Sequence, residues 1–211
     1  MNYPVIVLGM GGHAKVLIDV LRLRKVEVIG FTDSKKPLIL SSSLGMKYLG
    51  TDDIVLNYEP NRIQLVNGLG SVGKTEKRRQ LFEKFKDRGY SFATLVHPSA
   101  IIAFDVALNE GVQVMAGAII QSGCSIGENT IINTKVSLDH ECNVGSHVHL
   151  APGVTVSGGV KIDEGVHIGT GATVIQEVSI GKNSIIGAGA LVLDSIPEGL
   201  TAFGIPARIQ R

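Results

Sequence analysis

The sequence predicts two units in tandem, a small nucleotide-binding-like α/β domain over residues 1–97 and an all-β parallel solenoid over residues 98–211. Three observations carry the prediction. Aliphatic residues recur every six positions through the second half. A strand, glycine loop, helix, strand and acid follow one another at the start. The chain also holds 26 glycines but only 5% aromatic residues and no Trp. A core so poor in aromatics must be filled by aliphatic and small side chains in regular layers, which is what a repeat architecture supplies.

The repeat is read by stepping six at a time from Leu108: Val114, Ile120, Ile126, Ile132, Leu138, Val144, Leu150, Val156, Ile162, Ile168, Val174, Ile180, Ile186 and Val192 keep the register without a gap. A second series starts at Val112 and runs through Ala118, Cys124, Thr130, Val136, Cys142 and onward to Ala190, all small or β-branched. Each hexad therefore has one large and one small inward position. Asn109, Gly127, Asn133, Asp139, Gly145, Gly169, Gly181 and Gly187 follow the first series, and they are expected to be the corner residues that tolerate positive φ. Short β-branched strands with regular turns bury nothing alone, but stacked coils bury a continuous aliphatic column. Cys124 and Cys142 fall 18 apart in the small series and are expected to be stacked, reduced core thiols. A catalytic thiol would need exposure and a positive neighbourhood.

The first half opens with a buried strand at 4–8, a tight turn at Gly9-Met10-Gly11-Gly12-His13, and a helix from Ala14 to Arg24 with apolar spacing at Val16, Leu17, Val20 and Leu21. A second strand over 26–31 ends in Thr32-Asp33. Glycines let a backbone approach an anionic ligand, and a helix N-terminus offers unpaired N–H groups to a phosphate. Further strands are expected at 62–67 and 91–96, and a helix at 75–88. The loop Asn67–Gly73 follows one of these strands and is placed to line the same crevice. Gly9-x-Gly11-x-x-Ala14 fits the dinucleotide fingerprint, but the domain has room for about one mononucleotide half. Arg78 lies in a basic cluster expected to be a solvated helix face, with a phosphate contact as the alternative.

Composition sets bounds. The 211 residues are 44% hydrophobic and 18% charged, with net charge +1, so no global basic field marks a nucleic-acid or membrane partner. No apolar run approaches the roughly 20 residues a membrane span needs. The start Met1-Asn2-Tyr3-Pro4 lacks the basic opening of a secretory signal, and a cytoplasmic protein is expected.

Together, the Gly-Gly-His loop of a small α/β domain and the hexapeptide solenoid resemble the bacterial nucleotide-4-amino-sugar N-acetyltransferases of the bacillosamine pathway and the related sialic acid O-acetyltransferases. The resemblance implies a left-handed β-helix, three hexads per coil over about residues 101–196, and a homotrimer with active sites between subunits. It also implies acetyl-CoA as co-substrate, no metal, and a nucleotide-linked amino sugar held by the N-terminal domain. His140 lies between inward Leu138 and inward Cys142, so it points outward between two carboxylates, a setting suited to a general base. The resemblance makes His140 the base and Glu141 its orienting group; Asp139, at a turn position, is expected to be structural. It places His149, Gly158, Thr170 and Ala188 against the coenzyme, and Gly11, Gly12, His13, Asp33 and Gly70 against the nucleotide sugar. Ser34 stands where relatives often carry a second acid, which leaves the base open between uracil and thymine. The tail Phe203-Gly204-Ile205-Pro206-Ala207-Arg208 suits both a capping turn and a position near the coenzyme.

Two further histidines, His147 and His167, are expected to be solvated surface residues. His149 and His167 are 18 apart and should stack, but two ligands make an incomplete metal set. The expected reaction is direct acetyl transfer to the C4 amine of a UDP- or dTDP-linked 4-amino-4,6-dideoxy sugar. The alternatives are O-acetylation of a sialic acid or similar hydroxyl, a nicotinamide-linked oxidoreductase, and a non-catalytic or carbonic-anhydrase-like solenoid using His140, His149 and His167.

Overall fold

The computed structural model describes residues 3–35 and 45–210. The Met1-Asn2 start read above lies outside them. The first unit runs β1 (Val5–Leu8), α1 (Gly12–Leu23), β2 (Val28–Thr32), β3 (Tyr48–Gly50), a 3-10 turn (Asp52–Asn57), β4 (Gln64–Asn67), α2 (Glu76–Lys86) and β5 (Ser91–Phe92). The strands form one parallel sheet in the order β3-β2-β1-β4-β5.

Every residue of β1 is buried, as a strand covered on both faces requires. Its side chains alternate. Val5 and Val7 pack with Leu17, Ile18 and Leu21 of α1, while Ile6 and Leu8 pack with Phe82 and Phe85 of α2. Strand order reverses at β1, so the loops after β1 and β4 open into one crevice. One of the expected helix contacts fails. Val16 of α1 is 44% exposed and faces that crevice. The expected strand over 91–96 is two strands. Ser91–Phe92 pairs with β4, and Leu95–Val96 is already a rung of the solenoid, paired with Gln113–Val114.

The solenoid has three parallel faces. The first stacks Leu95–Val96, Gln113–Val114, Ile131–Ile132, His149–Leu150, His167–Ile168 and Ile185–Ile186; the second stacks rungs from Ile101–Ile102 to Leu191–Val192; the third stacks rungs from Ala107–Leu108 to Ser179–Ile180. Register is 18 residues throughout, as in Ile131↔His149 and Ser137↔Thr155. Both inward series form a single buried column. Cys124 and Cys142 are free and buried in it. Their thiols donate to the carbonyls of Asp139 and Ser157. Thr201–Phe203 adds to the first face and pairs antiparallel with Arg208–Ile209, so the tail closes the last coil.

The corner assignment needs correction. Positive φ falls two residues later than expected, at Gly111, Gly117, Gly123, Asn129, Lys135, Glu141, His147, Gly153, Gly159, Gly165, Gly171, Glu177, Asn183 and Gly189. The glycines after the first series serve another purpose. A Cβ on Gly127 would lie 2.4 Å from the backbone of Gly145 and Ser146, and one on Gly169 would lie 2.5 Å from Ala188 N. Successive coils approach there more closely than any side chain permits.

Candidate functional site

The α/β unit sits on the first face of the solenoid. Four successive outward residues of that face, Gln113, Ile131, His149 and His167, are buried beneath it. The corresponding residues of the other faces are open or half-open: Thr155, Asn143 and Lys161 are exposed. This covering overturns two expectations. His147 packs edge-on against Phe82 and bonds Asn129 Nδ2 at 3.0 Å. His167 lies under the His149 ring at 5.1 Å, with its Nδ1 buried and unpartnered. Neither is a solvated surface residue.

A cleft of about 450 Å³ lies where the unit meets the face, lined by Gly11, Gly12, His13, Val16, Gly70, Ser71, Asn133 and His149. It opens at the N-terminus of α1, which has Gly11 as its N-cap and no side-chain cap. The first-turn N–H groups have no intrahelical acceptor, and the helix dipole adds positive potential there. Gly9 makes the turn at φ +85°, and a Cβ on Gly11 or Gly12 would meet no protein atom within 4 Å. The space beside these glycines is the cleft itself.

Sequence reasoning missed how the wall of this cleft is fixed. Asn133 Oδ1 accepts from Thr134 N at 2.8 Å, so Asn133 Nδ2 faces His149 Nε2 at 3.1 Å and donates to it. His149 Nδ1–H then points at the Ser71 carbonyl at 3.0 Å, with Ser71 Oγ at 2.8 Å. Both ring nitrogens are committed. Burial pushes His149 down to about 3, with the charges of His167, His13 and Arg78 acting the same way and the Ser71 bond opposing.

Arg78 also departs from expectation. It is 2% exposed. Nη1 donates to the carbonyls of Asn67 and Leu69 at 2.9 and 2.7 Å, and Nε donates to that of Asn129 at 3.3 Å. It is neither a solvated helix residue nor a surface phosphate contact. It ties the loop after β4 to α2 and the solenoid. Burial lowers its pKa to about 9.

Asp33 lines a second cleft of about 380 Å³ with Gly9, Ser34, Asp52, Leu69, Lys77 and Lys84. Its Oδ2 accepts from Met10 N at 2.9 Å, so it also holds the glycine turn. Leu69 separates the two clefts.

His140 and Glu141 stand elsewhere, on the edge between the second and third faces. Glu141 Oε2 lies 3.2 Å from His140 Nδ1, and both side chains are largely exposed. The carboxylate can accept a hydrogen bond only from Nδ1–H, which leaves the Nε2 lone pair free. Asp139 Oδ1 accepts from His140 N at 2.8 Å, the structural role expected of it. Gly158 lies one coil on, against the imidazole. Thr170 and Ala188 are exposed and stack on the edge between the first and second faces, where Gly189 N donates to Thr170 O at 2.8 Å. The structure therefore gathers Gly11, Gly12, His13, Gly70 and His149 in one cleft, and puts His140, Glu141 and Gly158 on a different edge. Among the described residues no group of three or more His, Cys, Asp or Glu side chains converges as a metal set, and no helix is long and apolar enough to cross a membrane.

Comparison with known proteins follows the same two-part division. Residues 4–85 match the PglD N-terminal domain, and residues 159–194 match the bacterial transferase hexapeptide (six repeats). UDP-N-acetylbacillosamine N-acetyltransferase of Bacillus subtilis (strain 168) is 39% identical over 118 residues, 53% of this chain. The match spans about half, 51%, of that relative's length. The structure of PerB from Caulobacter crescentus, in complex with CoA and GDP-perosamine, superposes with a TM-score of 0.90 at 36% identity, covering 100% of this chain and 99% of that one. The acetyltransferase domain of PglB from Neisseria gonorrhoeae FA1090, in complex with acetyl coenzyme A, gives 0.91 at 30% identity, with 100% of both chains covered.

Proposed function

This chain belongs to the hexapeptide-repeat sugar N-acetyltransferases, and from that premise we propose that it transfers an acetyl group from acetyl-CoA to the C4 amine of a nucleotide-linked 4-amino-4,6-dideoxy sugar. The observation that carries the reading is the His140–Glu141 pair. A neutral imidazole with one nitrogen held by a carboxylate presents its other lone pair to an incoming N–H. His140 Nε2 takes a proton from the amine as the amine nitrogen attacks the thioester carbonyl. The C–N bond forms, the C–S bond breaks, and the thiolate leaves with a proton returned from the imidazolium. Glu141 steadies the imidazolium in between. The backbone near Gly158 is the candidate oxyanion donor. No protein nucleophile is required, because the thioester is already activated.

The α1 N-terminus and its glycines take the diphosphate, and the cleft beside Asp33 takes the nucleoside. The base stays open. Relatives carry names of UDP- and GDP-linked sugars, so guanine joins uracil and thymine as a candidate. Thr170 and Ala188 are assigned to the coenzyme side, and His149, on the wall of the sugar-nucleotide cleft, to the place where the thioester meets it. The two halves of the site lie on different edges of the prism, which supports a homotrimer in which one copy's His140 meets its neighbour's cleft. Acetyl-CoA as donor supports a cytoplasmic location for the reaction.

Thiol release with acetyl-CoA tests the reading, using UDP-, dTDP- and GDP-linked 4-amino-4,6-dideoxyhexoses and free sialic acid as acceptors. Rapid release with one nucleotide amino sugar is expected. His140→Ala should lower turnover by roughly 10²- to 10⁴-fold. Near-normal turnover in that variant removes the base assignment, and release with sialic acid alone moves the reading to O-acetylation.

A further inference from the structure

Gln113 is an outward residue of the first solenoid face, and it is 1% exposed. Its amide is oriented without ambiguity. Nε2 donates to the carbonyl of Asn67 at 2.9 Å, an atom that can only accept. Oε1 therefore faces His13 Nε2, 2.7 Å away. A carbonyl oxygen in that position requires a proton on Nε2. His13 Nδ1 is then the lone-pair nitrogen. His13 lines the 450 Å³ cleft, and with Nε2 engaged by Gln113 it is Nδ1 that is left for a ligand.

We propose that Gln113 is a positioning residue that fixes the tautomer of His13, so that His13 presents a hydrogen-bond acceptor to the cleft and reads a hydroxyl of the sugar nucleotide. The proposal rests on the cleft being the sugar-nucleotide site. A phosphate oxygen is the wrong partner for that lone pair, so His13 reads a donor while the neighbouring α1 N–H groups serve the diphosphate. The surroundings keep the ring neutral. Burial lowers His13 to about 4, the charge of Arg78 acts the same way, and the Gln113 bond opposes both. His149, itself buried and neutral, is the other titratable wall of the cleft. A chain of oriented groups runs from Arg78 and Gln113 through the Asn67 carbonyl, so the tautomer is set by the same contacts that dock the two halves of the chain.

The test has two parts. In the free protein, ¹⁵N imidazole spectra of selectively labelled His13 at neutral pH should show a protonated Nε2 and a bare Nδ1. Gln113→Met, close in volume and without the amide, should mix the tautomers while the protein stays folded. Should Met fail to fold, Gln113→Asn provides the shortened amide. A Nδ1–H tautomer in the wild type overturns the proposal whether or not any substrate is ever acetylated. In turnover, Gln113→Met should raise KM for the sugar nucleotide about tenfold, the worth of one hydrogen bond, and leave kcat and KM for acetyl-CoA nearly unchanged. An unchanged sugar-nucleotide KM overturns it. So does uptake of one proton by His13 on binding, because a protonated ring would be donating to phosphate.

Discussion

The imidazole of His140 rests on Gly158. A Cβ added to Gly158 would fall 2.6 Å from both Cε1 and Nε2 of the ring. The two residues are one coil apart, and Gly159 N donates to the His140 carbonyl at 2.9 Å, so the contact is built from the stacking itself. Gly158 is not at positive φ, and a backbone requirement does not explain it. Space for the ring does. Gly158→Ala should rotate His140 away from its present position and lower kcat by about 10²-fold, the scale for a misplacement near 1 Å, with the melting temperature nearly unchanged. A fully active Gly158→Ala enzyme would show that the ring's seat is irrelevant to turnover.

Glu141 holds its carboxylate on His140 from a strained position, at φ +59°. A left-handed conformation costs an L-residue roughly 1–2 kcal/mol, and glycine pays none of it. Glu141→Gly should keep or raise stability, by up to about 1 kcal/mol after the entropy of the freer unfolded chain is counted, while lowering kcat. Glu141→Ala should lower kcat similarly with no stability gain. Thermal melts read beside initial rates separate the two effects. A joint loss of both stability and activity in Glu141→Gly would contradict the strain argument.

Two kinds of glycine should respond differently to alanine. Gly127→Ala drives a methyl into the backbone of the next coil, where no side chain can yield, and should cost about 3 kcal/mol or more. Gly153 has φ +72° and open space around it, so Gly153→Ala pays only the conformational cost of about 1 kcal/mol. Chemical denaturation midpoints should rank wild type, Gly153→Ala and Gly127→Ala in that order. The reverse order of the two variants would refute the division.

The separation of His13 from His140 on different edges makes a mixing experiment decisive. Assayed well below the KM for the sugar nucleotide, His13→Ala and His140→Ala should each be poorly active as pure assemblies. On the proposed assembly, in which each site draws its two halves independently from neighbouring copies, subunits of the two, unfolded and reassembled together, should recover about one quarter of wild-type activity. No recovery would place the whole site within one chain.

The hexad register, the inward column and the outward His140–Glu141 pair were legible in the sequence because 18-residue stacking fixes which way every side chain points. Burial of the outward row was not. His149 and His167 stand in the same row as Gln113 and Ile131, and nothing in a period of six says that another part of the chain will cover that face. For the same reason Ser71, Asn133 and Gln113 were missed, and Arg78 was misread as solvated. The positive-φ corner was misplaced because Lys135, Glu141, His147 and Glu177 occupy it as well as glycines. The eight glycines from Gly111 to Gly189 that share that corner were the signal available for finding it. The split of residues 91–96 between two sheets lies in the two residues Ala93-Thr94, too short a break for composition to mark.

The buried histidines set the acid limit of the fold. Burial lowers His13 to about 4 and His149 to about 3, and lowers His147 and His167 in the same direction. In the unfolded chain each titrates near 6.5. Between the folded and unfolded values the unfolded state binds the extra proton, so stability is full above about pH 6.5 and is lost as pH falls below it. Each such histidine contributes a slope of up to about 1.4 kcal/mol per pH unit across its window. His149 has the wider window of the two with values, and its replacement by Gln removes that titration while keeping a polar side chain at the position. Wild-type denaturation free energies measured from about pH 7.5 to pH 5 should therefore fall more steeply than those of His149→Gln, by roughly one proton's slope. Parallel curves would mean that His149 is accessible to protons in the native state, and that the wall between the cleft and the first solenoid face is looser than its hydrogen bonds require.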